Sequence, residues 1–132
     1  MLEKTFQFIV KYKNSLMWAL VILILCGMPP SGLPTIKIPG IDKMVHFGLF
    51  VVFALLLISE MNYQRNQLTV KNQHKWLGFI VASVYGGLIE LAQLYLFTSR
   101  GAEWADFFAD ILGAATAALV YPSFNRTLRG YI

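Results

Sequence analysis

The chain has 132 residues, 57% of them hydrophobic, with a formal net charge of +4. That is enough for one domain, and too apolar for an ordinary water-soluble one, so its expected solvent is lipid. The positive charge is spread along the chain with no basic, aromatic-interleaved patch, which excludes a nucleic-acid-binding surface. A single cysteine, Cys26, excludes an intramolecular disulfide and reads as a small apolar residue within a hydrophobic run. A lipoprotein cleavage site at Cys26 would want a small residue where Leu25 stands.

The first apolar run, Leu16 to Met28, is short for a membrane crossing. Phe6, Phe8, Ile9 and Val10 extend it backwards while Lys11 and Lys13 can snorkel to the interface, giving a first span over about residues 8–28. Pro29 and Pro30 end it, and no small-x-small cleavage pattern follows, so the segment is expected to be retained. Residues 29–42 hold four of the five prolines, which predicts a stiff, turned connection. Asp42 is a fitting N-cap for a second span over about residues 43–61. The polar stretch MNYQRNQLTVKNQHK follows as a solvent loop. A third span, about residues 76–97, carries Glu90 and Gln93 and is interrupted by Gly86 and Gly87. The turn TSRGAEW leads to a fourth, about residues 105–121, ending at Pro122.

The expected fold is therefore all-α: one domain over residues 1–132, an integral membrane four-helix bundle. Lysine and arginine orient it. Lys4, Lys11, Lys13, Arg65, Lys71, Lys75, Arg126 and Arg129 fall on one side and only Lys37, Lys43 and Arg100 on the other, which places both termini in the cytoplasm. Trp76, Trp104, Tyr121 and Tyr131 suit interfacial aromatic belts, and Gly86, Gly87, Gly113, Ala114, Ala117 and Ala118 suit close packing of the third and fourth spans.

Ionisable side chains inside membrane spans are costly and mark candidate sites. His46 falls about one turn into the second span, and Asp106 and Asp110 fall in the first two turns of the fourth. Glu90 and Gln93 lie about 10 Å and 6 Å below the outer end of the third. All five occupy the outer third of the bilayer. Glu90 and Gln93 are three residues apart, Asp106 and Asp110 four, so each pair shares one helix face. Arg100 is the nearest cation for these carboxylates, with a fork able to grip carboxylate or phosphate.

Each residue also has a plain structural role open to it. Asp42 suits a helix cap, Lys43 an interfacial anchor or acid partner, His46 a hydrogen-bonded core imidazole, and Gln93 interhelical glue. Asp106 suits the positive end of its helix, while Asp110 lies too deep for that role.

In this order, Asp42-Lys43-x-x-His46-Phe47, Glu90-x-x-Gln93, Arg100 and Asp106-x-x-x-Asp110-x-x-Gly113 resemble the VanZ-like family of small bacterial membrane proteins. The resemblance spans about residues 42–118, and the chain departs from it at Asp110, where the family commonly carries Asn. It implies a four-helix domain in the bacterial inner membrane and, through the family's namesake, a link to resistance against the glycopeptide teicoplanin.

Two functional expectations follow. The first is a non-enzymatic or weakly enzymatic envelope protein whose outward pocket, built from Asp42, Lys43, His46, Glu90, Gln93, Arg100, Asp106 and Asp110, binds a cell-surface or lipid-linked ligand. The second is an enzyme on a lipid-linked substrate, in which His46, Glu90, Asp106 and Asp110 hold a divalent metal or divide general acid and base roles. An ion pathway would need polar residues through the inner halves of the spans, and those read as apolar.

Overall fold

The computed structural model describes residues 1–29, 38–63, 72–97 and 101–130. Lys37, Arg65, Lys71, Arg100 and Tyr131 lie outside them, as do the side chains of Arg126 and Arg129. The described residues form five helices and no strand: α1 (Leu2–Lys11), α2 (Lys13–Gly27), α3 (Ile41–Tyr63), α4 (Asn72–Tyr95) and α5 (Trp104–Gly130). Three helical stretches, Ile41–Tyr63, Asn72–Tyr95 and Trp104–Ser123, are long and apolar enough to cross a membrane, and α1 with α2 makes a fourth only if the pair is one span.

That pair is not the continuous helix expected over residues 8–28. It bends by 75° at Tyr12. The sequence carries two different patterns on either side of the bend. In α1, Leu2, Phe6, Ile9 and Val10 gather on one face and Glu3, Lys4, Gln7 and Lys11 on the other, with no residue buried. Beyond the bend α2 is apolar nearly all round, and its 15 residues rise about 22 Å.

The bend exposes the first N–H groups of α2, which Tyr12 cannot cap with its side chain. Glu60, near the end of α3, does so instead. Its Oε1 accepts from Asn14 N (2.9 Å), and its Oε2 accepts from Ser15 N (3.2 Å) and the Ser15 hydroxyl. Both Glu60 and Ser15 are buried. A carboxylate at the positive end of a helix, satisfied by three donors, pins α2 to α3. The helix ends around Glu60 are thus not wholly apolar, contrary to the expectation from sequence.

Two further bonds dock α2: Trp18 Nε1 donates to Leu49 O (2.9 Å) and the Tyr85 hydroxyl to Ala19 O (2.6 Å). Ile22, Phe50, Ala54, Ala82, Ala114 and Ala117 form the fully buried centre, with Tyr85 stacked at a tilt against Phe53.

Small residues set the helix separations. A Cβ on Gly113 would collide with the Phe47 carbonyl oxygen and lie 3.1 Å from Val51 N, so α5 meets the backbone of α3 there. Gly113 therefore serves the contact with α3, not the expected one between the third and fourth spans. That contact is made by Gly86, whose Cβ would lie 2.9 Å from Asp110 Oδ2.

Element ends also shift. Ile41 and Asp42 are already helical, so Asp42 stands in the first turn of α3. α4 begins at Asn72, a turn earlier than Trp76, where His74 Nδ1 lies 2.7 Å from Asn62 Oδ1. α5 runs through Pro122, because one proline removes a single backbone bond and the helix resumes beyond it. Tyr121 is buried rather than interfacial, while Trp76 and Trp104 are exposed as a belt position requires.

Candidate functional site

Three helices deliver the candidate side chains to one place. His46 leaves the second turn of α3, Glu90 the last third of α4, and Asp106 and Asp110 successive turns of one face of α5. The close approaches at Gly113 and Gly86 bring these faces within side-chain reach.

His46 and Asp110 are at the centre, 3% and 0% exposed, and Nδ1 lies 2.9 Å from Asp110 Oδ1. That distance requires a shared proton. If Nδ1 carries it, the imidazole donates to Asp110 and the lone pair of Nε2 stays free. Asp106 Oδ2 lies 3.9 Å from Nε2, an ionic approach but too long for a direct hydrogen bond. Asp106 is itself buried, and its Oδ1 sits 3.2 Å from Lys43 Nζ.

Lys43 is the cation of the site among the described residues. Its ammonium also meets Glu103 at 2.5 Å and Asp42 at 3.7 Å. This is the acid-partner role open to it from the sequence. Arg100, expected to balance the carboxylates, lies outside the described residues.

Glu90 joins the cluster to the loop before α5. Its Oε2 accepts the Glu103 N–H at 3.0 Å, while its Oε1 is buried with no hydrogen-bond partner among the described residues. Asp110 Oδ2 is in the same condition. His46, Glu90 and Asp110 each place a potential metal-ligand atom within 4.8 Å of the others, and so do Asp42, His46 and Asp106.

Gln93 behaves differently. Its amide donates to Cys26 O at 3.1 Å, tying α4 to the end of α2. The expected pairing of Glu90 and Gln93 on one ligand-facing surface thus divides: Glu90 joins the cluster, and Gln93 bonds a neighbouring helix.

Glu103 is a participant that the sequence reading passed over, although its position just before α5 marked it. Its carbonyl accepts from Asp106 N (3.1 Å), its N–H donates to Glu90, and its carboxylate holds Lys43. It sits on all three sides of the junction between α3, α4 and α5.

A groove of about 500 Å³ opens beside the cluster. Val84, Leu88, Leu91 and Leu94 of α4 form one wall, Trp104 and Phe107 of α5 the other, and Glu90 and Glu103 its polar edge. Its lining is otherwise apolar and it is open to the outside of the helix pair. A second pocket, of about 650 Å³, lies at the opposite end, around Glu60, Asn14 and Lys13.

Among the described residues, fold and site define an all-helical arrangement with three to four helices apolar enough to cross a membrane, enclosing a histidine–carboxylate cluster beside an apolar groove. No protein-family model, curated protein or solved structure matches the chain.

Proposed function

We propose that this chain is a polytopic protein of VanZ-like type in the bacterial inner membrane, and that it binds a lipid-linked envelope ligand at the junction of α3, α4 and α5. In this reading α2 to α5 form a four-helix bundle with α2 as a short first crossing, and α1 rests on the cytoplasmic interface. The excess of lysine and arginine at the Glu60 end supports cytoplasmic termini, which turns the His46 cluster outward.

The observation that carries the proposal is the position of Glu90. The same side chain belongs to the buried His46–Asp110 group and to the rim of the apolar groove. A ligand with a hydrocarbon tail and a polar head meets both surfaces at once: the tail lies along Leu88, Leu91 and Leu94, and the head reaches the carboxylates. Five carboxylates, Asp42, Glu90, Glu103, Asp106 and Asp110, face Lys43 and His46. That balance favours a head group rich in hydroxyl or ammonium donors.

Photo-crosslinking tests this directly. A diazirine-bearing lipid-linked cell-wall precursor is expected to label the groove walls on α4 and α5, and Leu91→Trp, at an outward-facing position, is expected to suppress the labelling. In a susceptible bacterium, expression is expected to raise the teicoplanin concentration needed to stop growth, and Glu90→Gln to abolish the protection. Labelling unchanged by Leu91→Trp, together with protection unchanged by Glu90→Gln in a stably inserted protein, would overturn the proposal.

A second reading is favoured by the His46–Asp110 pair: with Asp110 holding Nδ1, Nε2 is placed to move a proton on the bound head group. Turnover of the same lipid-linked precursor by purified protein, lost in His46→Gln, distinguishes catalysis from binding alone.

A further inference from the structure

The carboxylates of this protein fall into two classes by their partners. Glu60 is buried with both oxygens engaged by donors. Asp110 and Glu90 each have one engaged oxygen and one buried oxygen, Oδ2 and Oε1, without a donor among the described residues. Natural interiors rarely leave such atoms unmatched, and a bound cation is one standard explanation. The two side chains that carry these oxygens each place a carboxylate oxygen within 4.8 Å of the other's. Asp110 Oδ2 is pressed against α4 at Gly86, one helical turn from Glu90 on the same face.

We propose that His46, Glu90 and Asp110 bind one divalent transition cation of the Zn²⁺ or Mn²⁺ class. Each ligand comes from a different helix, α3, α4 and α5, and their donor atoms lie within 4.8 Å of one another. A cation bonded at about 2.1 Å to tetrahedral ligands holds them about 3.4 Å apart, so side-chain closure without helix movement assembles the set. One imidazole with two carboxylates matches the borderline donor preference of these ions. Calcium is a poorer match, because it requires six to eight oxygens, more than three side chains supply. Lys43 occupies the other side of the cluster and neutralises Asp106 and Glu103, which leaves the negative charge of Glu90 and Asp110 for the ion. Three protein ligands leave a fourth coordination position for water or a bound molecule. The inference concerns the same cluster as the lipid-binding proposal but does not depend on it, since an ion bound here holds α3, α4 and α5 together with or without a lipid.

The test uses full-length protein purified in detergent, stripped with chelator, and titrated with Zn²⁺ and Mn²⁺ separately, with no lipid-linked ligand added. Calorimetry and elemental analysis after desalting are expected to find one ion per chain for at least one of the two metals. Glu90→Gln and Asp110→Asn are each expected to weaken binding at least tenfold, whereas Glu3→Gln, at an exposed site on α1, leaves it unchanged. If Asp110→Asn fails to fold, Glu90→Gln, at a half-buried position, decides alone. Wild-type protein that takes up neither ion, or a folded Glu90→Gln variant that binds as wild type does, overturns the proposal.

Discussion

Glu60→Ala is the most informative single perturbation of the fold, because it removes one group on which a whole helix start depends. The side chain receives two backbone N–H groups of α2 and the Ser15 hydroxyl, the bonds from Ser15 buried and that from Asn14 part-buried. Losing a helix cap costs about 0.5–2 kcal/mol. Each buried donor left without a partner adds about 1–3 kcal/mol, reduced where water enters the space vacated. The pocket beside Glu60 admits water, so the lower end of that range applies to Asn14 N and the upper end to the more enclosed Ser15. With about 1 kcal/mol for Asn14 N and about 3 kcal/mol for Ser15 added to the cap, the expected loss is about 4.5–6 kcal/mol. Glu60→Gln retains one acceptor oxygen and is expected to lose about half as much. Reversible unfolding in mixed detergent–dodecyl sulfate micelles, followed by circular dichroism, measures both. The reasoning is refuted if Glu60→Ala unfolds within about 0.5 kcal/mol of wild type, the scatter of ordinary surface substitutions.

Other perturbations probe the remaining contacts. Gly113→Leu drives a side chain into the backbone of α3 at Phe47, where nothing can rotate aside, and is expected to cost about 3 kcal/mol or more in the same unfolding assay. Gly78→Ala meets only the Ile58 side chain, so its smaller loss is expected to be relieved by Ile58→Ala, giving clear coupling in a double-mutant cycle. Tyr85→Phe removes the bond to Ala19 O and is expected to cost about 0.6 kcal/mol, the usual value for a side-chain bond between membrane helices.

What the sequence revealed followed from periodicity and depth. Three long apolar stretches appeared within a turn or so of their helical limits, save that α5 runs on past its expected end at Tyr121 to Gly130, because water-averse runs bounded by polar loops leave few alternatives. The meeting of His46, Glu90, Asp106 and Asp110 was also legible: spacings of four on one helix and equal depth on three antiparallel ones are enough to predict a shared layer. The α1–α2 bend was hidden because hydrophobicity was summed across Tyr12, while the change from an amphipathic to an all-apolar pattern was the available sign. Gln93 has the interhelical role open to it from the sequence, since a residue three positions from Glu90 is about 60° away around the helix, enough to face α2 instead. The role of Glu60 depends wholly on a long-range contact, and near a span end the residue resembled an ordinary solvent-facing acid.

The contrast between Glu60 and Asp110 separates two reasons for burying a carboxylate. Both sit where α3 meets another helix, and both are buried. Glu60 is matched donor for acceptor, so its burial is repaid in the fixed position of α2. Asp110 is matched only through His46, and it excludes a Cβ from Gly86 to reach its position. Apolar residues of similar volume in place of both His46 and Asp110 would pack without an orphaned oxygen or an unpaired imidazole nitrogen, and stability alone would favour them. The fold therefore bears an unfavourable group at Asp110 that it does not need for packing. The double variant His46→Leu/Asp110→Val separates the two purposes: if unfolding becomes harder while cation uptake and ligand protection both vanish, the pair is there for the site; if unfolding becomes easier by several kcal/mol, the His46–Asp110 pair is a structural tie like that of Glu60.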